Sequence, residues 1–288
     1  MDSCKMQESM ENLSAPFKRG KVKDVYDLGH DQLLFIFTDR VSAYDVVLPS
    51  TIPRKGEVLA KLAAFWFNNL DTPHHMVRLE DTNRMVVRRL KMIPVEAVVR
   101  GYLYGSLYER LTKGEISIPV EPILAAKLPE PYFDPTTKSD VKDEPVTVEQ
   151  IEEEGWLASE QLEAVRKKTV EIYNKMSVRS EKAGFILADL KLEFGFDKQE
   201  NLVLADSIGP DEFRLWPKAD YAPGKTQESY DKQPIRDWLG KVSYKKTLDE
   251  ARREGRPTPR PPDLPTGLIQ ETSRRYIIAY ERLTGLKL

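Results

Sequence analysis

The sequence has one cysteine, Cys4, no long apolar run and almost no net charge. A single thiol excludes a disulfide framework and a multi-cysteine zinc site, and it is typical of a reducing compartment. The apolar run Leu33–Phe37 is too short to cross a bilayer, and residues 1–13 lack the apolar core of a secretory signal. We therefore expect a cytoplasmic protein that is not bound to a membrane.

The charge balance limits the partners further. There are 44 basic and 46 acidic side chains, which gives a net charge of −2. Nucleic-acid-binding proteins usually carry a basic excess, so we expect no nucleic-acid partner, although a local basic cluster can still bind a small anion. At 288 residues the chain can bury a sizeable core without a metal or disulfide. Its length indicates two compact units or one large unit.

Two familiar nucleotide-binding patterns are also missing. The sequence contains neither a GxxxxGK[ST] loop nor a GxGxxG motif. Its histidines, His30, His74 and His75, lack metal-ligand spacing and occur in turn-like contexts. We therefore expect no catalytic histidine.

Strand-like segments dominate the first hundred residues. They are rich in Val, Ile and Tyr and are separated by turn residues: 21–28, 33–38, 85–90 and 93–100. One apolar helix, Glu57–Leu70, interrupts them. Strands gathered in one stretch without regular βα alternation predict an antiparallel α+β fold.

The character of the chain changes after residue 105. Pro119–Pro145 is rich in proline and aspartate, which predicts a loop without regular structure. We predict two lobes, residues 14–110 and 111–288. The other elements predicted in the second part are helices at Ser106–Leu111, Thr147–Ala183 and Thr266–Leu283, strands at Phe185–Gly195 and Leu202–Asp206, and a proline-rich passage at 253–265.

Gly20 precedes two lysines at the start of a predicted strand. If Lys21–Asp27 is a strand, its side chains alternate, so Lys21 and Lys23 share a face. A glycine followed by two such lysines suits a polyphosphate. A solvated strand with lysines on its wet face is the plainer interpretation of this segment by itself.

Residues 185–195 alternate cleanly between apolar and charged side chains. The predicted apolar face holds Ile186, Ala188, Leu190, Leu192 and Phe194. The predicted charged face holds Asp189, Lys191 and Glu193. A solvent-facing strand with alternating charges is one interpretation.

The next segment favours a metal site. If Asp197 pairs with Leu202 across the turn, Glu193 lies opposite Asp206 with Cβ atoms about 4.5–5.5 Å apart. Two carboxylates at that distance repel unless a cation or a proton joins them. Mg²⁺ takes one or two carboxylates together with substrate phosphates. Lys191, next to Glu193, offers a second means of charge balance.

Residues 93–106 contain a candidate phosphate site. Glu96 and Arg100 share one strand face, and Gly105 and Ser106 open a predicted helix. Free N–H groups, a serine hydroxyl and a nearby arginine suit a phosphate. The other interpretation is that Ser106 is a plain helix cap and Arg100 forms a surface ion pair.

Two further segments carry polar groups near predicted strands. Asp39–Asp45 includes Ser42 and follows a buried strand, where loops often carry function, although turn chemistry explains it more simply. Arg214 follows the carboxylate-bearing strand and adds a second arginine near it.

Together these segments resemble the SAICAR synthetase (phosphoribosylaminoimidazole-succinocarboxamide synthase) family. They occur in family order from about Lys18 to Leu239 and cover most of the chain. The matching motifs are GKVKDVY, FTDRVSAYD, PRKG, IPVEAVVRGYLYGS, LADLKLEFG, LADSIGPDEFRLW and YDKQPIRDWL. Several long matches in order make coincidence a poor explanation.

The resemblance implies a fold and an activity. The family has an antiparallel N-terminal lobe similar to the small lobe of protein kinases, a larger α/β lobe, and ATP in the cleft between them. It implies an ATP- and Mg²⁺-dependent ligase that joins L-aspartate to a carboxy-aminoimidazole ribotide through an acyl phosphate. SAICAR, ADP and phosphate are the products, in purine biosynthesis. We expect a monomer or homodimer.

The resemblance also implies positions for the nucleotide and the metal. Three residues belong to the hairpin over the ATP phosphates: Gly20, Lys21 and Lys23. Three belong to the linker whose backbone meets the adenine: Arg89, Leu90 and Met92. Glu193 and Asp206 hold the nucleotide's magnesium, and Asp45 lies near the imidazole carboxylate, where a second magnesium is an option.

By the same resemblance, Asp189 and Lys191 lie at the reacting centre, with Asp189 as a first guess for the base that frees the aspartate amine. The ribotide is bound by Arg100, Ser106 and Arg214, with Ser42 nearby. The last motif is loosely assigned to the aspartate side: Asp231, Lys232, Gln233 and Arg236. Two alternatives stay open, a small-molecule kinase on a similar scaffold and a nucleotide-binding regulator without catalytic activity.

Overall fold

The computed structural model describes residues 15–138 and 143–288, so Cys4 and the leader lie outside the described residues. Within those ranges the β-strands are β1 (Lys18–Arg19), β2 (Lys23–Gly29), β3 (Gln32–Phe37), β4 (Arg40–Ala43), β5 (Val46–Thr51), β6 (Met76–Asp81), β7 (Arg84–Arg88), β8 (Lys91–Met92), β9 (Val95–Tyr102), β10 (Lys127–Phe133), β11 (Thr136–Thr137), β12 (Phe185–Phe196), β13 (Leu202–Ala205) and β14 (Phe213–Pro217). The helices are α1 (Lys55–Asn69), α2 (Ser106–Thr112), α3 (Val148–Glu153), α4 (Ser159–Lys182), α5 (Gln233–Lys241), α6 (Tyr244–Arg253) and α7 (Thr266–Thr284), with a 3₁₀ turn at Lys218–Asp220.

The strands form two sheets and a separate hairpin. The first sheet has the order β1-β2-β3-β7-β6, and the second follows β10-β9-β12-β13, with β8 and β14 also paired to β12 and β11 to β9. β4 and β5 form the hairpin. The pairings between these strands are antiparallel, which confirms the predicted mixture of helices with antiparallel sheets.

A continuous apolar core joins the elements. It takes side chains from the first sheet, α1, the second sheet, α4 and α7, for example Phe35, Leu62, Leu190 and Tyr276. The helix predicted at residues 57–70 is present because its apolar residues recur every three or four positions and are buried on that core. Each such Leu or Phe contributes about 1.5–3 kcal/mol of hydrophobic stabilisation.

The chain passes from the first sheet to the second before residue 110, where the lobe boundary was predicted. β7 is the last strand along the chain in the first sheet, and β9 already lies at the centre of the second sheet. There, Val99 pairs with Leu190 of β12. Gly101 of β9 leaves room for the Tyr173 side chain of α4, because a Cβ at that position would lie 1.7 Å from the Tyr173 hydroxyl oxygen.

The prediction of an unstructured loop at Pro119–Pro145 was wrong for part of its length. β10 lies inside it and pairs with β9 along the sheet edge, with a register shift between Lys127 and Tyr132. Its prolines, Pro129 and Pro131, fall within that irregular stretch. An edge strand with a bulge tolerates prolines because their missing N–H groups interrupt no ladder. Residues 139–142 of the predicted loop lie outside the described part of the chain.

The predicted helix Thr147–Ala183 is two helices. α3 begins with a capping box between Thr147 and Gln150, and it ends before Gly155, whose φ is +67°. That left-handed conformation is favourable for glycine and stops the helix. A single bond of the same kind, in which the Gln161 side chain accepts from Ala158 N at 3.1 Å, starts α4.

In the described ranges no helix is long and apolar enough to cross a membrane.

Candidate active site

The charged face of β12 is buried rather than solvated. Asp189 and Glu193 are each only 6% exposed, and β9 and β14 flank the strand. The alternation breaks at a register shift between Leu187 and Asp189. Ile186 and Ala188 consequently pack in a separate cluster with Trp216, so the prediction that they share a face with Leu190 was wrong.

Asp189 is held by two guanidinium groups. It lies opposite Arg100 on β9 and Arg214 on β14, and its Oδ2 accepts from Arg100 Nη1 at 3.2 Å and from Arg214 Nη1. Burial alone would raise the pKa of Asp189, but Arg214 and Arg100 lower it. A carboxylate stabilised in this way is a poor proton acceptor, which argues against Asp189 as the base.

Arg100 connects this pair to the start of α2. Its Nη2 donates to Ser106 Oγ at 3.1 Å and its Nε to Asp134 Oδ2 at 2.8 Å. Gly105 has a φ of +59°, and a Cβ there would lie 2.9 Å from Arg214 Nη2. The structure therefore brings together the three residues predicted for a phosphate, Arg100, Ser106 and Arg214, with Gly105 leaving room for the second guanidinium.

Lys191 lies between two carboxylates on the same face. Its Nζ is 2.5 Å from Glu96 Oε1 and 3.6 Å from Glu193 Oε1. Burial would lower the pKa of Lys191, but Glu193 and Glu96 raise it, so the ammonium stays charged. Burial would raise the pKa of Glu193, but Lys191 and Lys138 lower it to about 2.

The predicted register between Glu193 and Asp206 was wrong by one residue. Glu193 pairs with Ala205, and Phe196, not Asp197, pairs with Leu202. Asp197 instead organises the turn, where its Oδ1 accepts from Gln199 N and Asn201 N, both at 2.9 Å. Asp206 follows the strand with a φ of +60°.

Lys23 interacts electrostatically with both carboxylates despite the changed register. Lys23 forms an ion pair with Asp206, and it is among the cations that lower the pKa of Glu193. Burial lowers the pKa of Lys23 itself to about 8. The lowered pKa keeps Glu193 ionised, and Asp206 is ion-paired with Lys23. Among the described residues no group of three or more acidic, histidine or cysteine side chains could hold a metal by itself.

The lysines of the first segment have different partners in the structure, Asp45 for Lys21 and Asp206 for Lys23. The predicted strand at residue 21 begins only at Lys23. Lys21 lies in the preceding turn, and its Nζ is 2.6 Å from Asp45 Oδ1. Gly20 closes that turn, because its N donates to Lys23 O at 2.8 Å and a Cβ would meet the same oxygen.

The predicted adenine linker joins the two sheets. Arg89 N donates to Asp31 O at 2.7 Å, and its Nη2 lies 2.6 Å from Asp27 Oδ2. Leu90 and Met92 follow, and Met92 pairs with Gly195 of β12 and is 39% exposed.

Asp231, the first residue of the last predicted motif, connects two elements of the fold. Asp231 Oδ2 accepts from Leu215 N at 3.0 Å and its Oδ1 from Gln233 N at 2.6 Å, so it fastens β14 to the start of α5. Lys232 Nζ is 3.9 Å from Asp211 Oδ1. Burial and the neighbouring Arg214 lower the pKa of Arg236, which places that guanidinium near the arginine pair.

Ser42 is buried on β4, opposite Val47 in the hairpin. The structure places it in the same hairpin segment as Asp45 rather than on the face of β12.

The sequence did not predict a fully buried ion pair between Lys55 and Asp211. Lys55 is 0% exposed, and its Nζ lies 2.7 Å from Asp211 Oδ2, while Tyr276 donates to Asp211 Oδ1 at 3.0 Å. The pair links α1, the loop before β14 and α7. A lysine in the motif PRKG beside an apolar helix was the available signal.

The sequence also did not predict the role of His75. This buried imidazole has its Nε2 3.0 Å from the carbonyl oxygen of Asp206. Burial lowers the pKa of His75 to about 3, so the ring is neutral and donates from Nε2. It holds the carbonyl of Asp206, whose φ is positive.

The fold and site define a class of protein before any comparison. Lysine, arginine and carboxylate side chains alternate on a buried sheet face, which is typical of an enzyme that handles anionic, phosphate-bearing substrates. A SAICAR synthetase family model matches residues 16–251. A phosphoribosylaminoimidazole-succinocarboxamide synthase of Nitrosopumilus maritimus is 51% identical over 271 residues, covering 93% of this chain and 98% of that protein. One of Corynebacterium urealyticum is 40% identical and covers 96% and 94%.

Solved structures agree. A SAICAR synthase of Saccharomyces cerevisiae complexed with SAICAR superposes with a TM-score of 0.81 at 32% identity, over 97% of each chain. A SAICAR synthetase in complex with ADP gives a TM-score of 0.73 at 27% identity, over 94% of this chain and 98% of that one. The chain belongs to the SAICAR synthetase family. This confirms the prediction of a ligase that joins aspartate to the carboxy-aminoimidazole ribotide with ATP.

Proposed function

We propose that this chain joins L-aspartate to the carboxylate of carboxy-aminoimidazole ribotide through an acyl phosphate formed from ATP. The observation that carries the proposal is the buried face of β12. It presents Asp189, Lys191 and Glu193 in a row, with Arg100 and Arg214 at one end. The guanidinium groups at one end suit the ribotide phosphate. The carboxylates at the other end suit the magnesium ion that would accompany ATP.

The arginine end suits the ribotide phosphate. Arg100 and Arg214 present planar guanidinium groups beside the Ser106 hydroxyl, a combination suited to bidentate binding of phosphate oxygens. Asp189 balances part of their charge and holds both groups in place, and Arg236 adds a further cation nearby. A family member in complex with SAICAR, the product, supports a ribotide site on this scaffold.

The other end suits magnesium and the ATP phosphates. Glu193 and Asp206 would hold Mg²⁺, with phosphate oxygens and water completing its shell, because two carboxylates alone provide too few ligands. The ion would neutralise charge on the transferring phosphate. Lys23, which now pairs with Asp206, would turn to the phosphates, and Lys21 would join it. A family member in complex with ADP supports the nucleotide site.

The nucleotide cleft would lie between two lobes. The first sheet would form the covering lobe and the second sheet the base. The segment from Arg89 to Met92, which connects them, would meet the adenine through its backbone. This arrangement is supported by the change of sheet between β7 and β9.

Lys191 is the group best placed for the chemistry. A carboxylate is a poor electrophile, so it must first attack the γ-phosphorus of ATP, which releases ADP. Lys191 remains an ammonium, and its position between Glu96 and Glu193 would orient the ribotide carboxylate and balance its charge during that attack. The amine of aspartate then attacks the acyl carbon, and phosphate leaves. This sequence of steps needs no serine or cysteine nucleophile.

An assay of the purified chain tests the reaction. The chain is mixed with Mg-ATP, carboxy-aminoimidazole ribotide and L-aspartate. We expect stoichiometric ADP and a product whose mass is that of the succinocarboxamide, both dependent on aspartate. ADP release with a phosphorylated ribotide alcohol, independent of aspartate, would instead identify a small-molecule kinase.

A further inference from the structure

Glu212 is an acidic residue at the reacting centre that no step above uses. It lies next to β14, where Lys191 N donates to its carbonyl oxygen at 2.7 Å. β12 and β14 pair Asp189 with Arg214 and Leu190 with Phe213. The same register places Glu212 opposite Lys191, so its side chain leaves the sheet on the face that carries Lys191 and Asp189.

The carboxylate of Glu212 differs from its neighbours in its bonding. Its Oε2 is buried and has no hydrogen-bond partner among the described residues. Asp211, the preceding residue, is bonded on both oxygens by Lys55 and Tyr276. A buried acceptor without a donor is unfavourable unless the site supplies a donor during its working cycle.

Charged groups surround Glu212 from several elements. Burial and Asp211 raise the pKa of Glu212 to about 7, against the opposing effect of nearby lysines: Lys191 on β12, Lys232 before α5 and Lys23 on β2. The charge of Glu212 also raises the pKa of Tyr276 on α7. A carboxylate that titrates near neutrality is suited to proton transfer.

We propose that Glu212 is the proton acceptor for the ammonium group of the incoming aspartate. This inference rests on the proposed function. The Glu212 carboxylate removes one proton from the ammonium, which leaves a lone pair on nitrogen. That lone pair forms the C–N bond at the acyl phosphate, and the C–O bond to phosphate breaks. The second nitrogen proton departs with the phosphate, and Glu212 returns its proton to solvent.

The other carboxylates on this face are already bonded to, or balanced by, neighbouring side chains. Asp189 is held by Arg100 and Arg214, and Glu193 has a pKa of about 2. Glu96 accepts from Lys191 on one oxygen and from Thr136 on the other. Among these carboxylates Glu212 alone combines a neutral-range pKa with an oxygen that has no donor in the described residues.

Hydroxylamine separates the two halves of the reaction. It is a nucleophile that is uncharged at neutral pH, so it captures an acyl phosphate as a hydroxamate without a base. For Glu212→Gln we expect aspartate ligation to fall by about 100-fold or more. Hydroxamate formation and the accompanying ADP release should stay within about twofold of the unchanged chain. Glu212→Asp should recover part of the ligation rate.

The pH profile gives a second readout. In the unchanged chain kcat for ligation should rise with pH and level off above about 7, because Glu212 must be ionised to accept a proton. In Glu212→Gln the inflection should disappear, and the rate should rise about tenfold per pH unit with the free-amine fraction of aspartate. Glu153→Gln, an exposed position on α3, is the matched control and should retain both the rate and the profile.

The outcomes are distinguishable. Unchanged aspartate ligation with an unchanged pH profile in Glu212→Gln would overturn the proposal. An equal loss of ligation and hydroxamate formation would also overturn it, because it would show that Glu212 acts on folding or on acyl phosphate formation. If the unchanged chain itself forms no hydroxamate, the acyl phosphate of the proposed function fails instead.

Discussion

Glu193→Gln is expected to lower kcat/KM for ATP by about 10²–10³-fold, the range seen when one buried electrostatic partner is removed from an active site. The Glu193 carboxylate is 6% exposed and is the counter-charge of Lys191 and Lys138. Glutamine keeps the shape but removes the charge. The variant therefore loses a proposed magnesium ligand and leaves the ammonium groups of Lys191 and Lys138 less well balanced.

Steady-state rates over a range of Mg²⁺ concentrations measure this effect, with Glu153→Gln as the exposed control. We expect the variant to need more Mg²⁺ and still not reach the rate of the unchanged chain. Because the pKa of Glu193 is lowered from 4.5 to about 2, its contribution to folding is present above about pH 4.5 and is lost as pH falls towards 2. Turnover close to that of the unchanged chain at every Mg²⁺ concentration would remove Glu193 from the metal site.

Lys55→Met is expected to destabilise the folded chain by about 3–5 kcal/mol, because it leaves the buried Asp211 carboxylate without its closest cation. Lys55 and Asp211 are both almost completely buried, with 0% and 2% of their side chains exposed. The remaining contacts of Asp211 are the Tyr276 hydroxyl and the more distant Lys232. Because Lys232 shares that carboxylate, the variant should also disturb the end of the site near α5.

Chemical denaturation of three variants tests this ion pair. Lys55→Met with Asp211→Asn should be less destabilised than Lys55→Met alone, since the unpaired Asp211 carboxylate is then absent. Lys167→Met, on the exposed side of α4, is the matched control and should change the free energy of unfolding by less than about 0.5 kcal/mol. Equal stability of Lys55→Met and the control would show that the pair contributes nothing.

Elements with a strong local pattern could be predicted from the sequence. α1 and α7 have apolar residues at helical spacing, and β3, β9 and β12 are rich in β-branched and aromatic residues, so their positions followed from local rules. β10 could not be predicted, because its prolines normally exclude a strand and only its edge position and bulge permit them.

The register at β13 shows a finer limit. Composition identified the turn between Glu193 and Asp206 but not its length. The Asp197 side chain bonds the N–H groups of the turn and adds one residue to it, which moves Glu193 opposite Ala205. Side-chain bonds of this kind compete with the ladder and cannot be read from alternation alone.

The candidate site divides in the same way. Residues close together in one motif, such as Asp189, Lys191 and Glu193, were found from the sequence. Partners far apart in sequence were not: Lys55 is 156 residues from Asp211, and His75 is 131 residues from Asp206. Such contacts depend on how the sheets and helices assemble, which no local pattern encodes.

The position of isotopic oxygen tests the acyl phosphate most directly. The ribotide carboxylate is labelled with ¹⁸O on both oxygens, and the purified chain converts it with Mg-ATP and aspartate. We predict that each inorganic phosphate carries one ¹⁸O and that the product amide keeps the other, because the carboxylate oxygen attacks phosphorus and leaves with it. Product formation with unlabelled phosphate would contradict this account.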